Sequence, residues 1–127
     1  MFKYSITTGR SYTETLTALE NSLVEHKFGV LWKLDVKENL KKKGVDFDKD
    51  FHIFEVCNAP KAKEVLERNI LVGYFLPCKI VVYVDKGETV IGMVRPTTIV
   101  EFLGDKSLLG FASEVEEILI KAIDAVK

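Results

Sequence analysis

Along the first residues of the chain apolar and polar positions alternate. Phe2, Tyr4 and Ile6 stand against Lys3, Ser5 and Thr7, the period of a strand with one buried face. Gly9 and Arg10 then turn the chain. Ser11-Tyr12-Thr13-Glu14 has capping-box spacing, in which the serine hydroxyl accepts from the Glu14 amide and the glutamate reaches back to the Ser11 amide. Tyr12, Leu16, Leu19 and Leu23 recur at helical spacing until Gly29, which predicts an amphipathic helix lying on a sheet. The strand period returns in Phe28, Val30, Trp32 and Leu34. Asp35-Val36-Lys37-Glu38 repeats the capping-box spacing and opens a short helix ending near Gly44.

The Phe51–Cys57 stretch is mostly apolar, with Phe54 and Val56 on one face and Phe51, Ile53, Glu55 and Cys57 on the other, so both faces are expected to be largely covered. Asn58 suits an N-cap and Pro60 the first turn of a helix over about 59–69. Pro77 should precede the next strand rather than lie within it. In that strand, 79–84, Ile80, Val82 and Val84 point inward, and Asp85-Lys86-Gly87-Glu88 makes a tight hairpin turn into 89–95. Pro96 begins a helical segment that Gly104 closes, and 107–126 carries a last amphipathic helix. The order is βαβ(α)βαββαα. Alternating strands and helices that include a hairpin predict an α+β fold: a single mixed or antiparallel sheet of about five strands with helices mainly on one face.

At 127 residues the chain suits one domain, 1–127, around one core. Lys and Arg total 18 against 19 Asp and Glu, so no long-range field draws a polyanion and nucleic acid is not an expected partner. Lys41-Lys42-Lys43 reads as the solvated last turn of a helix. No apolar run approaches the roughly 18 residues of a membrane span, and the first residues lack a basic leader and an apolar core. A cytoplasmic location without membrane contact is therefore expected. Absence of Gln, few Asn and much Lys and Glu match the drift seen at high growth temperature, where intracellular disulfides also become common.

No Gly-rich phosphate loop, His-Glu-x-x-His run, Gly-x-Ser-x-Gly elbow or Cys-x-x-Cys occurs, so the sequence indicates neither a catalytic residue nor a cofactor. The two cysteines, Cys57 and Cys78, instead flank one predicted helix. Cys57 precedes its N-cap, where unpaired amides favour a thiolate; set against that, free cysteine is among the most buried residue types. By parity Cys57 points away from the core and Cys78 toward it, which forbids a disulfide. His26 and His52 stand at no metal-ligand spacing from either cysteine and read as structural or surface residues.

The face opposite the expected core carries Glu55, Cys57, Lys79, Tyr83 and Arg95. If their strands are neighbours, these groups form a pocket for a small anionic ligand; otherwise they are exposed cross-strand pairs. Phe51, Ile53, Ile91 and Met93 are assigned to the same face, and a second copy of the chain is the simplest cover for them. The leading expectation is thus a homodimeric small-ligand-binding module. A thiol-based redox or metal-handling protein using Cys57, with Cys78 as partner should the face assignment fail, is the rival.

The stretch 28–96 also carries Phe28-Gly29-Val30, Leu34-Asp35-Val36, Val56-Cys57-Asn58, Leu76-Pro77-Cys78, Val81-Val82-Tyr83 and Arg95-Pro96. It resembles the domain of unknown function 302 family, whose pattern is a strand ending Cys-Asn-Pro, a helix, and Leu-Pro-Cys opening a strand. Here Ala59 stands where the proline is usual and Pro60 follows, which leaves the cap intact. The resemblance implies a compact α+β fold, a dimer and no assigned reaction, hence no catalytic residues to carry over.

Overall fold

The alternating segments become five strands: β1 (Lys3–Thr8), β2 (Gly29–Asp35), β3 (Phe51–Cys57), β4 (Cys78–Asp85) and β5 (Glu88–Val94). The helical periods become α1 (Tyr12–Glu25), α2 (Val36–Lys42), α3 (Ala59–Arg68), α4 (Pro96–Leu103) and α5 (Leu109–Asp124) in the computed structural model, which describes all 127 residues. The expected N-caps form, but the return bonds of the two capping boxes do not: Glu14 Oε1 accepts from the Ser11 hydroxyl rather than from its amide. Ser11 Oγ accepts from the Glu14 amide at 3.2 Å, Asp35 Oδ1 from Glu38 at 3.1 Å and Asn58 Oδ1 from Lys61 at 3.2 Å. Short 3-10 turns at Ile70–Tyr74 and Lys106–Leu108 complete the chain, so the last α-helix starts two residues later than its pattern predicts.

All neighbouring strands are antiparallel, in the order β1-β5-β4-β3-β2, so the sheet is antiparallel rather than mixed. The β4–β5 hairpin sets much of its register. Lys86 (φ 51°) and Gly87 (φ 78°) supply the two positive φ angles that a two-residue type I′ turn needs, and Val84, Val82 and Ile80 therefore pair with Thr89, Ile91 and Met93.

One face of the sheet lies under α1 and α5. Phe54, Val56, Ile80 and Val82 pack there against Leu19 and Leu23 of α1 and Val115, Leu119, Ala122 and Ile123 of α5. Ile91 and Met93 belong to this same core, which corrects their expected place on the outer face. The hairpin partners them with Val82 and Ile80, and directly opposed residues share a face. A second cluster, formed by Val65, Val72, Val100, Leu108 and Ala112, joins α3, the 3-10 turn before β4, α4 and the start of α5. This cluster carries the helical layer past the end of the sheet.

Candidate functional site

That overhang creates a cleft. The segment before β4 is fixed by Asn69, whose Oδ1 accepts from the Leu71 amide and whose Nδ2 donates to Asp105 Oδ2, each at 3.0 Å. Leu76–Pro77, joined by a cis peptide, leads from it into β4. On the other side Pro96 opens α4, while Glu116 Oε1 on α5 accepts from the Thr97 amide at 3.1 Å and its hydroxyl at 2.7 Å. Residues 74–77 and α4 become two walls facing each other at the end of the sheet.

Between them lies a cavity of about 570 Å³. Tyr74, Phe75, Leu76, Pro77, Val94, Pro96, Ile99 and Phe102 make its apolar lining, with Thr98, Cys78, Glu55 and Lys79 as the polar members. Phe75 and Phe102 meet edge-to-face across it, ring centres 6.3 Å apart. At the rim, Tyr74 is 86% exposed and Phe102 83%, an unusual cost for aromatic rings unless something covers them.

The charged groups at this cleft form a pair. Glu55 and Lys79 are direct cross-strand partners, and Lys79 Nζ donates to Glu55 Oε1 at 2.5 Å. The carboxylate is the deeper group, its side chain 16% exposed against 51% for the lysine. Behind it, burial first and then the charges of Cys57 and Glu55 push the Cys78 thiol up to about 11. At neutral pH it therefore keeps its proton and is a weak nucleophile.

The five residues singled out in the sequence do not converge; only Glu55 and Lys79 meet. Tyr83 shares their face but sits four residues along β4, about 13 Å away at the strand rise, where it stacks on Phe51 with ring centres 5.4 Å apart. Arg95 points to the helical side. Because Met93 faces the core, Arg95 follows it, and its Nε lies 3.9 Å from Glu116 Oε2. Cys57 also leaves the group: at the strand end it lines, together with Cys78, a small cavity of about 30 Å³ bounded by Phe28, Leu76, Phe111 and Val115. Both thiols are free, and the opposite-face argument does not separate them.

The histidines lie elsewhere. His52 Nδ1 is 3.3 Å from the Tyr12 hydroxyl under α1; burial lowers the imidazole pKa and pushes that of the phenol up to about 12. His26 ends α1 with Nδ1 2.7 Å from the Ser22 carbonyl. Nowhere do three His, Cys, Asp or Glu side chains gather as a metal ion would require.

The aromatic walls are what the sequence reading passed over. Their signal was present in the run Ile70-Leu71-Val72-Gly73-Tyr74-Phe75-Leu76, which is too apolar for an ordinary solvated connection.

An antiparallel five-stranded sheet, layered on one face by helices and carrying an aromatic-walled cleft at its end, defines a small α+β fold with a built cavity. The chain belongs to the DUF302 family, described as a domain of unknown function, whose model matches residues 4–126. It is similar to the crystal structure of an uncharacterized conserved DUF302 protein from Bacillus stearothermophilus. The two are 44% identical with a TM-score of 0.96 over 100% of this chain and 99% of that one. No curated protein matches the chain. No helix is long and apolar enough to cross a membrane.

Proposed function

We propose that this protein is a small-ligand-binding module of the cytoplasm, working as a homodimer, and that its ligand occupies the cleft between residues 74–77 and α4. The apolar body of the ligand lies among Phe75, Ile99 and Phe102, and its polar end meets Glu55 and Lys79. One observation carries this reading: the cavity of about 570 Å³ falls within the roughly 300–1,000 Å³ of small-molecule sites, with mostly apolar walls and few polar groups. A small anion of the kind the sequence pointed to would rest on Lys79 alone, since Arg95 faces Glu116.

Nile red, a neutral solvent-sensitive dye, tests the cleft. Its fluorescence should rise with the native protein and fall several-fold with Phe102→Asp, a substitution at an exposed site that leaves the core alone. No rise, or an equal rise with the variant, would remove the cleft as the site.

The bare face of the sheet supports the homodimer. Leu34, Ile53 and Val81 are half-buried there, Trp32 is exposed, and Gly92 interrupts the row with a position that has no side chain. Sedimentation equilibrium should give twice the 14.4 kDa chain mass for the native protein and one chain mass for Trp32→Lys. A native monomer at micromolar concentration would end this part of the reading.

A thiol-based role has weaker support. It would have to use Cys57 beside a partner, Cys78, that holds its proton at neutral pH.

A further inference from the structure

We infer that the cleft selects a ligand whose polar head is uncharged and presents a donor beside an acceptor, as an amide does, and that Glu55 is the residue setting this preference. The inference rests on the cleft being the ligand site. Its basis is the charge balance at the floor. The one ammonium there already donates to the one carboxylate, so the pair sums to zero. No further cation supports it: Arg95 is turned to Glu116 behind the sheet.

A head group carrying a single charge gains from one member of the pair and is repelled by the other. It must still shed its water in a mostly apolar cavity, a cost that only good pairing offsets. An uncharged head avoids that cost. It also finds partners, because Lys79 has three N–H donors and spends one on Glu55, while Glu55 Oε2 accepts no hydrogen bond within the protein. The Thr98 hydroxyl, which lines the same cavity, makes none either and can serve the head as donor or acceptor. A carbonyl on Lys79 and an N–H on Glu55 would leave the ion pair intact. A phosphate, with two negative charges to place against one compensated lysine, is the worst fit.

The test holds the body of the ligand constant and varies its head. Hydrocinnamamide, hydrocinnamate, phenethylamine and phenethyl phosphate are titrated into the full chain at low salt, and amide chemical shifts report both affinity and place. The amide should bind at least about tenfold more tightly than any of the three charged probes. Glu55→Gln should then move the preference toward hydrocinnamate, and Lys79→Met toward phenethylamine. Both substitutions lie at a pair that is open to water on the lysine side, outside the helix-covered core, so its loss costs the fold little.

A charged probe binding most tightly to the native protein, or an order that neither substitution changes, would overturn the selection by Glu55 while leaving the cleft as a site. If no probe shifts residues of the cleft, the ligand-binding reading itself fails.

Discussion

Lys79 and Ile80 are adjacent in one strand yet belong to different regions of the molecule. Ile80 faces α1 and α5 with Phe54, Val56 and Val82, all fully buried, whereas Lys79 lies on the face with Glu55, Val81 and Tyr83, none of them fully buried. One face holds the protein together. The other, at its end under α4, leaves aromatic rings and a charge pair available to something else. Apolar content does not distinguish the two faces, because Phe51, Ile53, Val81 and Val90 make the outer one apolar as well. What distinguishes them is cover.

The contrast can be broken first at its strongest point. Phe54→Ala should cost about 3–5 kcal/mol in urea unfolding, since it empties a site packed on all sides, while Ile53→Ala, next in the strand on the outer face, should cost under about 1.5 kcal/mol. Equal costs would mean that both faces are core.

A smaller effect comes from the thiol behind the cleft floor. The unfolded Cys78 thiol ionises near 9.0, and the folded one keeps its proton to about 11. Between those values the unfolded state binds fewer protons, so stability is complete below pH 9 and falls as pH rises through the window. The loss is about 2–3 kcal/mol. Cys78→Ala should remove the fall between pH 9 and 10 and leave above it the part that the raised Tyr12 phenol contributes.

His52 acts at the other end of the pH scale. Burial holds its folded pKa below the ordinary 6.5, so as pH drops past that value the unfolded state takes up protons that the folded state refuses. Thermal melts should show stability intact above 6.5 and declining on acidification, less steeply in His52→Phe. A wild-type profile as flat as the variant's would contradict the burial of His52. Smallest of all, a double-mutant cycle across Lys79 and Glu55 should give between 0 and about 1 kcal/mol, as expected of a pair open to water on the lysine side. A coupling well above that would make the pair structural and remove it from recognition.

Strand and helix order was legible in the sequence because local signals carried it: the Ser11, Asp35 and Asn58 caps, and Lys86-Gly87 between two alternating runs. The side of β5 that meets the core was not read from its own residues, since Val90, Ile91, Met93 and Val94 are apolar on both parities. The hairpin held the answer. With Val82 inward, a two-residue turn makes Ile91 inward, and Arg95 then leaves the outer face. Cys57 was misplaced for a different reason. It is the last residue of its strand, where the chain turns into α3 and pleat parity no longer governs direction. The cleft walls escaped notice because residues 70–77 have no period to read, and their proximity to α4 arises only from the second apolar cluster.

The most direct test of the account is a map of where a small amphipathic molecule binds. With hydrocinnamamide added to saturation, backbone amide resonances of Leu76, Lys79, Thr98 and Phe102 should shift while those of Thr13, Thr17 and Asn21 on α1 stay in place. Shifts concentrated on α1 or on the Phe51–Tyr83 stack, or no shifts at all, would contradict the claim that the end of the sheet under α4 is the ligand site.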